Sequence, residues 1–294
     1  MARLPANGLQ IEVETLGDSR HPAVLLIMGL GMQLVAWPEE FCRALADAGY
    51  FVIRFDNRDI GLSTKLDDAA MPSLVSSALR YALRLPMPAP YRLDAMAADS
   101  VGVLDALGIQ AAHFVGVSLG GMIAQMVAAG HRERCLSLTS IMSSSGARYL
   151  PTSSLDVARM LLIRPARDAT LDTVLDHYVE FFRAVGSPGF PTESGRIREH
   201  LALGLRRGYY PQGIERQLLA ILASGDRSAA LRTIACSTLI VHGDADPFIR
   251  VAHGIDCARK IPGARLKIIP GMGHDLAPGL VPVLNEELIA HLRR

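Results

Sequence analysis

Cysteine is scarce in this sequence: 294 residues contain four cysteines, at positions 42, 135, 236 and 257. They are widely separated and match no Cys/His metal or redox motif, which argues against a disulfide-rich scaffold. No segment approaches the ~20 apolar residues of a membrane span. The first eight residues also lack the apolar run of a secretory signal. We therefore expect a reduced, cytoplasmic protein with no membrane span.

The chain also lacks an excess of either charge. Thirty Lys and Arg residues face 29 Asp and Glu residues, which gives a formal net charge of +1. A nucleic-acid-binding protein needs clustered positive charge, and no block of like charge is present here. The expected partner is a small molecule, and a homo-oligomer is left open. Half of the residues are apolar, enough for one large core and an insertion.

The strongest chemical signal lies between residues 112 and 125. An apolar run ends in Gly-Val-Ser-Leu-Gly at 116–120, and a helix-forming run follows at once. A strand, a sharp turn and a helix together form the context in which a serine becomes a nucleophile. Gly116 and Gly120 remove side chains that would collide in such a turn. We therefore predict that Ser118 is the nucleophile; the alternative is an ordinary loop with an exposed serine.

A catalytic serine needs an orienting acid and a base, and candidates for both follow downstream, the acid first and the histidine second. Residues 238–243 read as a buried strand that precedes two aspartates, and residues 264–269 read as another strand, before His274. Parallel strands gather their carboxyl ends at one edge of a sheet. Ser118 would attack a carbonyl carbon, His274 would take its proton, and the acid would orient the imidazole.

Two aspartates compete for the role of the acid. Asp246 precedes Pro247, which stiffens the turn and fixes the direction of the carboxylate. Asp244 lies directly after Gly243 and is suited to accept hydrogen bonds from turn amides. We favour Asp246 and keep Asp244 as the alternative.

The remaining histidines favour structural interpretations. His113 falls within a predicted strand and His242 at the end of another, where packing or a structural hydrogen bond is expected. His253 and His274 lack the tight His, Cys or carboxylate spacing of a metal site. We predict neither a metal nor a cofactor.

Stabilisation of a tetrahedral oxyanion requires fixed hydrogen-bond donors, and two backbone amides are candidates. The amide of Leu119 opens the helix after Ser118, where the helix dipole favours an anion. The amide of Leu30 lies in a glycine-bordered turn after the predicted strand at 24–28. The alternative for Gly29 and Gly31 is a tight turn without a catalytic role.

The order of these motifs resembles that of the α/β-hydrolase esterases over nearly the whole chain. Four stretches resemble the branch of aclacinomycin methylesterase and related bacterial carboxylesterases: Leu26–Gly31, Arg54–Ser63, Gly116–Gly121 and Pro270–His274. Met28 stands where many relatives have the histidine of a His-Gly signature. The resemblance implies an α/β fold with a mostly parallel central sheet flanked by helices and an inserted helical cap. The charged residues of 54–63 lie close enough to the expected site for substrate contact, but the resemblance implies that they mostly brace the loop that carries the oxyanion turn.

Alternating strands and helices agree with this fold. Strands are predicted at 9–16 (an edge strand), 24–28 and 50–55, and helices at 37–48 and 93–107. From Gly146 to about Ala230 the pattern is helical, with an apolar stripe over 171–182. We therefore predict a core of residues 1–145 and 231–294 and a cap of residues 146–230. A further amphipathic helix is predicted over 72–85, as a flap, a docking face or a packed surface helix.

The sequence thus predicts a cofactor-independent serine carboxylesterase that acts on small to medium esters through an acyl-enzyme. One alternative keeps the same triad for carbon–carbon bond hydrolysis, or for acyl transfer to an alcohol or peroxide. Another is a receptor that binds a small ligand on a hydrolase scaffold without turning it over. The intact serine, acid and histidine favour the esterase.

Overall fold

The computed structural model describes residues 1–69, 71, 72, 76, 77, 79, 80, 83, 85–162, 165 and 169–294. Half of the residues of the helix predicted over 72–85 lie outside the described residues. Among the helices that are described, none is long and apolar enough to cross a membrane.

One eight-stranded sheet organises the chain, with the spatial order β1-β2-β4-β3-β5-β6-β7-β8. The first two strands run antiparallel to their neighbours, and the other six are parallel, which confirms the prediction of a mostly parallel sheet. The strands are β1 (Ala2–Ala6), β2 (Leu9–Leu16), β3 (Ala23–Ile27), β4 (Phe51–Phe55), β5 (Ala112–Val117), β6 (Cys135–Ile141), β7 (Ser237–Gly243) and β8 (Arg265–Ile269).

One strand was placed wrongly by its sequence pattern. The alternation of residues 9–16 predicted an edge strand, but β2 lies between β1 and β4. The edge strand on this side of the sheet is β1, which pairs with β2 over Ala2–Ala6 and contains a proline. Proline lacks a backbone N–H and is tolerated at a sheet edge. A half-buried second strand alternates just as an edge strand does, so periodicity could not separate the two.

Helices cover both faces of the sheet, and successive strand residues supply the two cores. Leu25 and Ile27 face a core shared with α2 and α3, whereas Val24 and Leu26 face a core shared with α1 and α10. This split follows from the alternation of side chains along a strand. The helices are α1 (Glu39–Asp47), α2 (Leu93–Ala106), α3 (Leu119–Gly130), α4 (Leu155–Leu162), α5 (Leu171–Val185), α6 (Ser194–Gly208), α7 (Pro211–Ser224), α8 (Ser228–Leu231), α9 (Val251–Lys260) and α10 (Val281–Leu292).

The predicted cap is helical where it is described. Helices α4 to α7 and the start of α8 fall between residues 146 and 230, and no described residue of that range is in a strand. The assignment of this segment as a separate cap stays a prediction. Strands β3, β5, β7 and β8 are parallel, so their carboxyl ends all lie at the same end of the sheet. The turns that follow these strands contain the predicted site residues.

Candidate active site

Ser118 lies at a sharp turn between β5 and α3 in a strained backbone conformation, with φ at +54°. Both glycines of the motif are required sterically. A Cβ atom at Gly116 would lie 2.1 Å from the carbonyl oxygen of Gly120, and one at Gly120 would lie 1.9 Å from that of Ile27. The Ser118 amide donates to the Ile141 carbonyl at 2.9 Å. The turn is therefore held by β6 and by close backbone packing that only glycine permits.

His274 joins the serine to a carboxylate. Its Nε2 lies 3.0 Å from Ser118 Oγ, and its Nδ1 lies 2.7 Å from Asp246 Oδ2. A carboxylate only accepts hydrogen bonds, so Nδ1 carries the proton and Nε2 is left to accept from the serine hydroxyl. Hydroxyl, imidazole and carboxylate in this arrangement can generate a nucleophile and then protonate a leaving group.

Asp246 is buried and fully paired. Its Oδ1 accepts the amides of Phe248 and Ile249 at 2.8 and 2.9 Å. Burial by itself raises the pKa of this carboxyl, but the charge and hydrogen bond of His274, with smaller contributions from His242 and Ile249, bring the pKa below its ordinary value. The carboxylate is therefore ionised at neutral pH and held in one orientation.

Asp244, the alternative acid, lies elsewhere. It is exposed, and its Oδ1 accepts the backbone amide of Gly271 at 2.7 Å. That contact ties the turn after β7 to the turn after β8. The structure therefore brings Asp246, and not Asp244, to His274.

The two amides predicted for the oxyanion hole come from turns that meet at Ser118. Leu119 is the first residue of α3. Leu30 follows Gly29, and a Cβ atom at Gly29 would lie 3.4 Å from Ser118 Cβ. The Asn57 amide group donates to the Met28 carbonyl at 3.0 Å and steadies this turn. The catalytic roles of Leu30 and Leu119 stay predictions.

The bracing role expected for residues 54–63 is confirmed by their contacts. Asp56 is fully buried, and its two carboxylate oxygens accept the amides of Leu34 and Leu62, each at 2.8 Å. Arg207, from α6, also donates to Asp56. This loop connects the turn after β3 to the helices of the predicted cap.

The other histidines have structural contacts. His242 Nε2 donates to the Ile249 carbonyl at 2.7 Å, and burial lowers the pKa of His242, so its imidazole stays neutral. His253 bonds Ser144 and the Pro151 carbonyl, and His113 bonds Ser137. Within the described ranges, no group of three or more His, Cys, Asp or Glu side chains could hold a metal ion.

Sequence reasoning missed the residues that hold the histidine turn. The His274 amide donates to the Val185 carbonyl at 2.7 Å, and the Gly273 amide donates to Ser187 Oγ at 2.8 Å. Ser187 in turn donates to Asp275, whose pKa is raised because the carboxyl is buried. A pattern confined to one window could not pair residues this far apart. The Gly-Ser-Pro-Gly stretch at 186–189 signalled only a turn.

A ring of Phe248 lies beside the histidine. Its centroid is 4.8 Å from that of His274, and the ring of Phe181 from α5 is 5.9 Å from that of Phe248. Both contacts are edge-to-face, the geometry that aromatic pairs prefer. The surroundings of the imidazole are therefore apolar on the side toward α5.

Comparison with known proteins finds related sequences over nearly the whole chain. Residues 22–185 match the family model described as "alpha/beta hydrolase fold". Rhodomycin D methylesterase DauP of Streptomyces sp. (strain C5) is 32% identical over 299 residues, covering 95% of this chain and 94% of that protein. A 2-hydroxymuconate semialdehyde hydrolase of Pseudomonas sp. (strain CF600) is 33% identical over 200 residues, 64% of each protein.

A solved structure shares the architecture of this chain. The meta-cleavage product hydrolase CumD of Pseudomonas fluorescens IP01 superposes with a TM-score of 0.77. The match covers 100% of this chain and 97% of that one at 18% sequence identity, so it shows the fold alone.

Proposed function

The chain belongs to the α/β-hydrolase fold family, and on that premise we propose that it is a serine carboxylesterase with Ser118, His274 and Asp246 as its triad. The observation that carries the proposal is the continuous hydrogen-bonded path from Asp246 through His274 to Ser118, with distances of 2.7 and 3.0 Å. The relatives named methylesterases, similar over nearly the whole chain, support ester hydrolysis as the reaction.

In the first half-reaction, His274 Nε2 takes the proton of Ser118 as its oxygen attacks the ester carbonyl. The amides of Leu30 and Leu119 would bind the developing oxyanion. Loss of one such donor typically costs about 3 kcal/mol of transition-state stabilisation. The imidazolium then protonates the departing alcohol, and the acyl group remains on Ser118. In the second half-reaction, His274 activates water, which releases the carboxylic acid and regenerates the serine.

The substrate class is proposed as methyl and other small-alcohol esters of apolar carboxylic acids. The similarity to a protein named a rhodomycin D methylesterase supports a methyl ester as the substrate. Phe248 and Phe181 beside the imidazole support an apolar substrate. No cofactor takes part in the proposed reaction.

A second candidate reaction uses the same triad on a bond other than an ester. The similarity to a semialdehyde hydrolase over 64% of the chain favours this candidate, because a semialdehyde need not contain an ester. A non-catalytic receptor, the third possibility, gains no support from a serine already hydrogen-bonded to a histidine and carboxylate.

The test is turnover combined with labelling of the nucleophile. Wild-type protein should release p-nitrophenol from short acyl esters, and a fluorophosphonate should label it. Ser118→Ala should lose both, whereas Ser137→Ala, a serine hydrogen-bonded to His113, should keep both. Labelling of another serine in an active Ser118→Ala protein would contradict the proposal. A parallel panel of methyl esters and semialdehydes separates the two enzymatic candidates.

A further inference from the structure

Helix α7 lies directly against the turn that follows β3. Gly31 has φ at +71°, and its amide donates to the Gln217 side-chain oxygen at 3.0 Å. A Cβ atom at Gly31 would lie 3.1 Å from Ile214 Cγ1. Ile214 and Gln217 are three residues apart and share one face of α7. This face of the predicted cap therefore touches the residue next to Leu30.

The Gln217 side chain has one orientation because both of its ends are paired. It is fully buried, and its Nε2 donates to the Arg58 carbonyl at 3.1 Å. A flipped amide would place its NH2 group against the Gly31 N–H, and its oxygen against the Arg58 carbonyl. Gln217 therefore ties the backbone of residue 31 to that of residue 58.

Helix α7 is itself fixed against the loop after β4. Arg216 pairs with the fully buried Asp59 at 2.9 Å. A Cβ atom at Gly213 would lie 2.2 Å from the Asp59 carbonyl oxygen, so helix and loop are in direct backbone contact. The helix cannot shift without breaking these contacts, and its position sets that of Gln217.

We propose that Gln217 is a positioning residue for the oxyanion hole. By accepting the Gly31 amide, it fixes the peptide plane between Leu30 and Gly31, and with it the direction of the Leu30 amide one residue earlier. This inference rests on the proposed function, because the direction of the Leu30 amide matters for catalysis only if that amide binds the developing oxyanion. It assigns a positioning role in catalysis to a helix of the predicted cap.

The physical reason is preorganisation. An oxyanion-hole donor stabilises the transition state only if it points at the developing charge before the reaction begins. A displacement of about 1 Å is enough to reduce a rate by roughly a hundredfold. In a turn bordered by glycines, the backbone has little stiffness of its own. An external hydrogen-bond acceptor supplies the missing constraint.

The test compares Gln217→Met with Leu219→Ala. Methionine matches glutamine in length and cannot accept a hydrogen bond of comparable strength from Gly31. We expect kcat for a p-nitrophenyl ester to fall about ten- to a hundredfold, with KM changed by less than about threefold. The rate of fluorophosphonate labelling should fall in parallel, because phosphonylation uses the same oxyanion hole.

Leu219→Ala is the matched control for helix stability. Leu219 is buried on the same helix and, as a leucine, offers no side-chain hydrogen bond to the turn. This variant should lose thermal stability yet keep kcat when assayed well below its Tm. An unchanged kcat in Gln217→Met would overturn the inference. So would a loss of kcat in both variants that follows their loss of stability.

If the protein is not an esterase, the experiments give a different pattern of results. Wild-type protein would then neither turn over esters nor be labelled at Ser118, and Ser118→Ala would change nothing. The inference would fall with it. Wild-type turnover combined with a fully active Gln217→Met leaves the esterase in place and removes only the role of Gln217.

Discussion

Ser118, His274 and Asp246 are each constrained by contacts beyond the triad. Ser118 has a strained backbone with positive φ, and its amide is held by the Ile141 carbonyl. His274 is fixed through its own amide, which donates to Val185. One carboxylate oxygen of Asp246 accepts two backbone amides, and the other accepts a hydrogen bond from the imidazole. Such independent support keeps a catalytic geometry within the narrow tolerance that the chemistry requires.

The first residue-scale prediction separates the two aspartates. Asp246→Asn should lower kcat by about 10⁴-fold, because an amide NH2 facing Nδ1 stabilises the wrong imidazole tautomer. Asp244→Asn should keep kcat within about threefold and lower only stability, since its carboxylate accepts one turn amide. Steady-state kinetics and circular dichroism of both variants check the outcome. The reverse pattern would transfer the acid role to Asp244.

At the scale of elements, the segment after α5 acts as a support for the histidine turn. Besides the Val185 and Ser187 contacts, the Gly189 amide donates to the Gly271 carbonyl at 2.9 Å. A Cβ atom at Gly273 would lie 2.2 Å from the Gly186 carbonyl oxygen, so the two segments pack backbone to backbone. The predicted cap therefore contacts the site at two places: here, and at the turn after β3.

Ser187→Ala tests this support. The substitution leaves the Gly273 amide without its acceptor and the partly buried Asp275 carboxyl without one of its donors. Loss of a partner from a buried polar group costs about 1–3 kcal/mol. We expect a loss of that size in the free energy of urea unfolding, together with a lower kcat. Ser194→Ala, an exposed serine at the start of α6, should change neither quantity. Wild-type values in Ser187→Ala would show that the histidine turn is held by its backbone contacts alone.

At the scale of the whole molecule, buried neutral histidines make stability depend on pH. His291 is buried near the end of α10. Burial, together with the positive charge of Arg265, lowers the pKa of His291 to about 4. Burial also lowers the pKa values of His242 and His253. Between these lowered values and the ordinary value of 6.5, only the unfolded chain takes up the proton. The contribution of these neutral histidines to the free energy of unfolding is therefore fully present above pH 6.5 and is lost as the pH drops toward 4.

Replacement of His291 should weaken this acid sensitivity. The full shift corresponds to about 3 kcal/mol at most by pH 4. His291→Gln should therefore lose less unfolding free energy than wild type between pH 7 and pH 5. His21→Gln, at an exposed position, should follow the wild-type curve. Urea unfolding at both pH values gives the comparison, and parallel curves for all three proteins would contradict the assignment.

Much of the fold and site was predictable because the signals were local. Apolar periodicity gave strands β2 to β5, β7 and β8 and helices α1, α2 and α3 within a few residues. The glycines around Ser118 signalled its turn because a side chain there would collide with neighbouring backbone. The order of serine, acid and histidine along the chain could be read directly, since each follows its own predicted strand.

The sequence by itself determined the class of fold and the kinds of side chain at the site, because periodicity and turn chemistry act over a few residues. Only the tertiary structure decided which aspartate meets His274, that β1 and not β2 is the edge strand, and that Gln217 reaches Gly31. It also brought the sulfurs of Cys135 and Cys236 to 3.7 Å although 101 residues separate them. Such contacts depend on how the sheet and its helices pack together, and no local window of sequence contains that information.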